Sequence, residues 1–253
     1  MVDHLKQTDI NARRIQNVEV AFGSSGIPLQ HFNRVLIGEG VLMKMCRKKA
    51  KPRQFFLFND ILVYGTILMS KRKFTKQRII PLEEVQIENV EDEGESKYGF
   101  LVKTRTKSFV LYAISESEKE QWMSHIVKCV STVLKEGKEP AQDHAAVWVP
   151  DSEAEFCMVC HNTHFTVIQR RHHCRSCGKV VCGSCSTRTF TLEGISKKPV
   201  RVCDICYNKL CQRFKAAPQA LNDSSDSDDD TGHQDHEFAT FYHEKEEGPE
   251  KLV

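Results

Sequence analysis

Apolar and polar residues in the first half of the chain form short, evenly spaced segments that predict β-strands. Seven such segments, bounded by turn-forming or charged residues, predict strands at 41–45, 54–58, 61–64, 78–82, 85–90, 98–103 and 108–113. The Asn59-Asp60 pair between the second and third segments favours a tight turn. Seven short strands at this spacing are typical of a β-sandwich or a small barrel.

The segment before these strands has a helical period instead. Ile15, Val18 and Phe22 fall on one face of a helix that we predict over residues 9–22. Asp9 is a candidate cap at its start, and Gly23 is a candidate stop at its end. We expect this helix to pack on the domain that the strands form.

A second helix is predicted directly after the last strand. Ser115 and Glu118 form a capping-box pair at its start, and Gly137 ends it. Its apolar face carries Trp122, Ile126, Cys129, Val130 and Val133. An amphipathic helix that follows a set of strands needs an apolar surface to cover, so we expect it to cover the open end of the barrel.

The second half of the chain is rich in cysteine. Eight of the 11 cysteines form four Cys-x-x-Cys pairs, at 157/160, 174/177, 182/185 and 203/206. Two cysteines three residues apart on a tight turn can bind one ion, and a structural zinc ion takes four such ligands in a tetrahedron. The pattern therefore predicts two closed zinc sites without a position for a catalytic water. Spacing alone leaves the pairing open, because the second and third pairs either share an ion or interleave with the others.

The formal net charge of +2 conceals an asymmetry along the chain. Residues 1–140 carry +6 and residues 141–215 carry +5, whereas residues 216–253 carry −9. A basic body with an acidic tail indicates a polyanionic partner for the body. The Asp-rich tail cannot build a core, so we expect it to be disordered.

Cations concentrate around one of the paired cysteines. The run Arg170-Arg171-His172-His173-Cys174-Arg175 sets three arginines and two histidines beside a predicted zinc ligand. Forked guanidinium donors suit phosphate oxygens, and the zinc site holds the backbone of the run in place. This clustering predicts an anion-binding site rather than a solvated surface.

The chain start lacks the apolar core of a signal peptide, and no apolar run approaches the roughly 18 residues of a membrane span. We expect the chain to stay in the reducing cytosol, where paired cysteines indicate metal rather than disulfides. Any contact with a membrane is then peripheral.

Three motifs of the cysteine-rich segment resemble the FYVE zinc-finger family. They are Trp148-Val149-Pro150-Asp151 before the first cysteine, the basic run Arg170 to Arg175, and Arg201-Val202-Cys203 at the seventh cysteine. The resemblance implies two interleaved zinc sites. It assigns Cys157, Cys160, Cys182 and Cys185 to one ion, and Cys174, Cys177, Cys203 and Cys206 to the other.

The same resemblance implies binding of phosphatidylinositol 3-phosphate. Arg171, Arg175 and Arg201 would hold the 3-phosphate, and Arg170 would approach the 1-phosphate. Asp151 and His173 would hydrogen-bond ring hydroxyls, with His172 in the same anion cluster. Val167 and Ile168 align with the tip of a loop that dips into the bilayer, so we expect their side chains to be exposed for membrane insertion rather than packed inside the domain.

The strands and the second helix resemble the pleckstrin homology (PH) family. Trp122 matches the tryptophan that this family carries in its helix, where it packs in the core. Some PH domains bind phosphoinositides through a Lys followed by Lys/Arg-x-Arg across the first hairpin. Lys44, Lys51 and Arg53 fit that pattern, with further cations between them, and form a second candidate phosphoinositide site.

The order of these parts resembles the phafin family along essentially the whole chain. It predicts an α+β protein with an N-terminal helical segment (1–34), a seven-stranded PH domain with a C-terminal helix (35–137), a linker (138–147), a two-zinc FYVE finger (148–215) and a disordered acidic tail (216–253). The resemblance implies a non-enzymatic adaptor that is peripheral on early endosomes, with lysosomal or autophagic membranes as a further location. Its partners would be phosphoinositide-containing membranes and other trafficking proteins, without nucleic acid.

Two other functions use similar cysteine patterns. A RING-type ubiquitin ligase also has eight interleaved ligands, but it usually includes a histidine ligand where this chain has only cysteines. A nucleic-acid-binding zinc protein would interleave its cations with stacking aromatics, which the basic run lacks. No nucleophile–base pair, phosphate-binding glycine loop or carboxylate pair stands out, so we predict no catalytic residue.

Overall fold

The computed structural model describes residues 9–68, 73–94 and 96–216. The predicted acidic tail lies outside the described residues, apart from Ala216 at its first position. No helix in the described ranges is long and apolar enough to cross a membrane.

The first domain is built on a seven-stranded antiparallel sheet in the order β4-β3-β2-β1-β7-β6-β5. Its strands are β1 (Leu36–Met45), β2 (Ala50–Phe58), β3 (Ile61–Ile67), β4 (Phe74–Pro81), β5 (Gln86–Asn89), β6 (Gly99–Lys103) and β7 (Phe109–Tyr112). All seven predicted strands are present. Strand β1 starts five residues earlier than predicted, because Gly38 and a bulge between Leu36 and Gly38 interrupt the apolar pattern there.

Strand β2 explains why the sequence is continuously apolar near residue 56. Successive side chains of a strand point to opposite faces, and here both faces are buried. Phe55 and Leu57 belong to the core between the sheet and the second helix, whereas Phe56 and Phe58 belong to a separate core on the other side. All four are at most 2% exposed.

The second helix, α2 (Glu116–Lys135), covers the first of these cores. The Glu118 backbone N–H donates to Ser115 Oγ at 3.2 Å, which confirms the predicted cap. Trp122, Ile126 and Val133 are buried, and Cys129 and Val130 pack against the same core. The predicted apolar face is therefore confirmed.

The first helix, α1 (Asp9–Phe22), covers the other core. Ile15, Val18 and Phe22 are buried there, as predicted. Polar contacts fix the docking, because Asn11 donates to Arg34 O at 2.8 Å and Arg34 pairs with Asp60 at 2.5 Å.

The Phe22 ring at the end of α1 packs directly against Gly65 in strand β3. A Cβ at Gly65 would lie 2.5 Å from Phe22 Cε1, so only glycine lets this ring approach the strand. The Phe22 ring also meets Phe74 at 5.6 Å and Phe56 at 6.1 Å between centroids.

We expect Phe22→Ala to lower the free energy of unfolding of the first domain by about 3–5 kcal/mol, because it leaves a cavity among three aromatic neighbours. Urea unfolding of the full chain measures the change. Val20→Ala on the exposed face of α1 is the matched control, with an expected change within about 0.5 kcal/mol. Equal midpoints for the two variants would contradict the docking of α1.

The second domain has short elements around the cysteines. Its strands are β8 (His172–His173), β9 (Val180–Val181), β10 (Thr189–Phe190) and β11 (Val200–Arg201), followed by helix α3 (Asp204–Ala216). Five of its 11 core residues are cysteines. The other six are Ala154, Phe165, Val180, Val181, Leu192 and Val202, so the apolar part of this core is small beside the cores of the first domain.

The predicted linker, residues 138–147, lies along the first domain. Ala141 N donates to Glu83 O at 3.2 Å, and Ala145 N donates to Thr104 O at 2.9 Å. Val147 then forms a parallel bridge with Ser108. The linker therefore ends at the sheet, and this sets the second domain beside the first.

Candidate functional site

The eight paired cysteines lie in two groups. Cys157, Cys160, Cys182 and Cys185 form one, and Cys174, Cys177, Cys203 and Cys206 form the other. Within each group the sulfur atoms all lie within 4.8 Å of one another. The pairs therefore interleave, as the family resemblance implied.

The backbone around each group suits a zinc ion. A zinc ion with bonds of about 2.3 Å to four sulfurs sets them about 3.8 Å apart, which this spacing allows. Cys182 N donates to Cys157 Sγ at 3.3 Å, and Cys203 N donates to Cys174 Sγ at 3.2 Å. Such N–H donors stabilise thiolates, which are the form that binds the metal. A hydrogen bond from the Cys177 thiol also lowers the pKa of the Cys174 thiol.

A layered stack of side chains lies beside the second cysteine group. The Trp148 indole stacks on the His173 imidazole, with 4.8 Å between centroids and 15° between planes. The Arg175 guanidinium lies 4.1 Å from the Trp148 ring centroid. Gly178 makes room for this segment, because its φ is +76° and a Cβ there would lie 2.0 Å from Val147 O.

His173 links the stack to Asp151. Its Nε2 lies 2.8 Å from Val149 O and 3.6 Å from Asp151 Oδ1. Asp151 starts a short 3₁₀ turn, and its side chain is 14% exposed. The Trp-x-x-Asp motif therefore folds back onto the basic run, and its carboxylate lies beside His173.

Three arginines of the FYVE-like motifs are each hydrogen-bonded to a backbone carbonyl. Arg171 Nε donates to Ala154 O at 3.0 Å, and Arg175 Nη1 donates to His173 O at 3.0 Å. Arg201 Nη1 donates to Ser186 O at 2.5 Å. Arg201 is next to the run because its carbonyl accepts from Arg175 N at 2.9 Å.

The surroundings of the two histidines lower the pKa of each below its usual value. Burial lowers the pKa of His172, and the neighbouring arginines Arg201 and Arg170 lower it further. Burial also lowers the pKa of His173. Arg170 itself is exposed at the edge of the cluster.

The loop before the basic run has an apolar tip. Val167 is 92% exposed and Ile168 is 86% exposed, whereas the preceding Phe165 is buried. Thr166 closes the turn, since its Oγ1 accepts from Gln169 N at 3.0 Å and its N donates to Gln169 O at 3.1 Å. The expected exposure is confirmed, and insertion into a membrane stays a prediction.

The predicted cations of the first domain do not form one surface cluster. Lys51 is exposed and Arg53 is half-buried, but Lys44 is only 4% exposed. The Lys44 ammonium lies 3.7 Å from the Phe109 ring centroid, and burial lowers its pKa to about 7. The Lys44 side chain therefore packs against the aromatic rings of Tyr64 and Phe109 rather than on the surface of the hairpin, and its lipid role stays a prediction.

Comparisons with known proteins agree with both parts of the fold. The FYVE zinc finger model matches residues 147–212, and the PH domain model matches residues 36–131. Pleckstrin homology domain-containing family F member 2 of Mus musculus is 57% identical over 89% of this chain and 91% of its own length. Member 1 of that family from Homo sapiens is 54% identical over 83% of this chain and 76% of its own length. The chain belongs to this family, the phafins.

Among solved structures, the LM5-1 FYVE domain from Leishmania major is 38% identical over 30% of this chain and 90% of that domain, with a TM-score of 0.26.

Membership in the phafin family establishes the general function. A PH domain and a FYVE finger together make this phafin a phosphoinositide-binding adaptor and not an enzyme. Its two cysteine groups are positioned to hold the two zinc ions of a FYVE finger. Both domains indicate peripheral association with membranes.

One contact of the phafin site was not apparent from the sequence. Arg47, between β1 and β2 of the PH domain, lies against the FYVE finger. Its Nε is 3.1 Å from Asp151 Oδ2 and 3.3 Å from Asp151 Oδ1, and its Nη2 donates to Arg171 O at 2.8 Å. Arg47 O in turn accepts from Asp151 N at 2.9 Å. In the sequence Arg47 is one cation of a basic loop, and nothing there connects it to a residue 104 positions away.

Proposed function

We propose that this chain binds phosphatidylinositol 3-phosphate on endosomal membranes through its FYVE finger, with co-binding by its PH domain, and acts as an adaptor in endosomal trafficking and autophagy. The division into a PH domain (35–137), a linker (138–147) and a FYVE finger (148–215) is part of this proposal. Lysosomal and autophagic membranes are further sites, and other trafficking proteins are its partners.

The observation that carries the proposal is the position of three arginines on adjoining segments: Arg171 and Arg175 lie in the basic run, and the Arg201 carbonyl accepts from Arg175 N at 2.9 Å. Each guanidinium uses one N–H for a backbone carbonyl, which orients the group before a ligand arrives. Such preorganised, forked donors suit the oxygens of a phosphate monoester. An acceptor among the cations suits the hydroxyls of an inositol ring.

The residue roles follow this arrangement. Arg171, Arg175 and Arg201 bind the 3-phosphate, and the exposed Arg170 approaches the 1-phosphate. Asp151 and His173 accept or donate hydrogen bonds at ring hydroxyls, and His172 lies in the same cluster. Val167 and Ile168 enter the acyl region beside the bound headgroup.

The PH domain adds a second contact with the same membrane. Lys51 and Arg53 lie on the hairpin that contacts the FYVE finger, so one membrane can engage both domains. Once one site is bound, the second contact is effectively intramolecular. Occupancy of both sites prolongs residence on the membrane without raising the affinity of either site.

Sedimentation with vesicles of defined composition tests the proposal. We expect Arg171→Ala to weaken binding to vesicles with phosphatidylinositol 3-phosphate about 10- to 100-fold, because it removes charge-assisted hydrogen bonds. The exposed Lys197 gives a charge-matched control, Lys197→Ala, with an expected change below about twofold. Lys51→Ala/Arg53→Ala weakens vesicle binding but keeps the preference for the 3-phosphate. Unchanged binding of Arg171→Ala would refute the proposal.

A further inference from the structure

The contact between Arg47 and Asp151 joins the two candidate phosphoinositide sites. Arg47 belongs to the basic loop of the PH domain, and Asp151 belongs to the proposed headgroup site of the FYVE finger. The carboxylate thus lies between Arg47 on one side and His173 on the other. A residue of one domain therefore completes the polar surroundings of the other domain's site.

The arrangement of the domains holds this contact in place. Residues 138–147 are hydrogen-bonded to the PH domain, and Asp151 follows four residues later. A cavity of about 340 Å³ lies between the domains beside the contact and is lined by Arg47, Trp148 and Lys107 among others. The Lys107 ammonium lies 5.5 Å from the Trp148 ring centroid, so the PH domain places a second cation at the same interface between the domains.

The geometry points to a composite anion site, in which Arg47 of the PH domain binds the phosphorylated inositol headgroup together with the arginines of the FYVE finger. This inference rests on the proposed function and adds a residue to it. The chemical class of ligand is an inositol ring with a phosphate monoester, either in a lipid or as the free headgroup.

Two features favour Arg47 as a residue that binds the headgroup over the alternative, in which Arg47 blocks the site as a plug and must move away before the headgroup binds. Its contacts use Nε and Nη2, and its Nη1 group takes no part in either. Its charge also favours a polyanion in the site, since a cation held beside the other arginines raises the local positive potential. Expelling Arg47 would leave Asp151 uncompensated next to the incoming phosphates.

The experiment compares the full-length chain with Arg47→Ala and with Lys48→Ala, a neighbouring exposed cation of the same loop. Calorimetry with soluble inositol 1,3-bisphosphate and sedimentation with phosphatidylinositol 3-phosphate vesicles measure the two ligand sources. We expect Arg47→Ala to weaken both about tenfold. We expect Lys48→Ala to change binding of the soluble headgroup by less than about twofold.

Three outcomes would overturn the composite site. Equal or tighter binding of the soluble headgroup by Arg47→Ala would make Arg47 a spectator or a plug. A loss seen only with vesicles would place Arg47 on surrounding lipids instead of the headgroup. Faster proteolysis within residues 138–147 in Arg47→Ala, matched by a similar loss of binding, would make it a structural tie between domains.

The variant Arg171→Ala, measured in parallel, separates this inference from the proposed function. If Arg171→Ala loses binding while Arg47→Ala keeps it, only the composite site is wrong. If both variants keep full binding, the proposed headgroup site itself is wrong.

Discussion

Removal of zinc from the intact protein is expected to unfold the second domain and leave the first domain folded. The second domain has a core in which five of 11 residues are cysteines, so its apolar side chains alone bury too little surface for stability. Structural zinc contributes about 10–16 kcal/mol per site in zinc-finger peptides, far more than a typical domain's net stability. The first domain, by contrast, has two cores built on aromatic and aliphatic residues.

The two tryptophans report the domains separately. Trp122 is buried in the first domain, and Trp148 stacks on His173 in the second. When a chelator removes zinc, we expect the fluorescence emission of Trp148, measured in a Trp122→Phe variant, to shift to that of a solvent-exposed indole. Trp122 in a Trp148→Phe variant keeps its native emission, and added zinc restores the Trp148 signal. A native Trp148 signal in protein shown to be free of metal would contradict a structural role for zinc.

Local patterns made most of the fold predictable. The apolar face of α1 was predictable, because Ile15, Val18 and Phe22 recur at helical spacing and so lie on one side of the helix. All three are buried in the same core. The Cys-x-x-Cys spacing predicted two metal sites because two thiols on a tight turn can bind one ion. Spacing did not settle which pairs share an ion, since that depends on how β8 and β9 bring distant turns together.

Features that depend on the tertiary environment of a residue could not be predicted from local sequence patterns. Lys44 counts as a surface cation in the sequence, yet it is buried against Phe109, where burial lowers its pKa to about 7. The contact between Arg47 and Asp151 depends on the path of the linker, whose hydrogen bonds to Glu83 and Thr104 carry no sequence signal. Charge counting finds basic segments but does not reveal which cations lie together.

The exposed loop tip is expected to supply much of the membrane affinity. Val167 and Ile168 are among the most exposed large apolar residues of the described chain, on a turn closed by Thr166. Burial of each side chain in the acyl region contributes about 1.5–3 kcal/mol. A charged aspartate at either position must remain in water, so Val167→Asp/Ile168→Asp removes this contribution and lifts the headgroup site away from the bilayer.

We expect Val167→Asp/Ile168→Asp to weaken binding to phosphatidylinositol 3-phosphate vesicles by at least about 100-fold, the lower end of a combined 3–6 kcal/mol.

The matched control is Ile10→Asp/Val20→Asp on α1, which replaces two exposed apolar side chains and adds the same charge away from the loop. Binding of soluble inositol 1,3-bisphosphate is expected to stay within about twofold of the wild-type value in both variants, because the substitutions leave the proposed headgroup arginines in place. If the loop variant and the α1 variant sediment alike with vesicles, the two exposed side chains do not enter the membrane. A loss of vesicle binding with normal binding of the soluble headgroup instead assigns the two tasks to different parts of one domain, recognition to the arginines and anchoring to the loop.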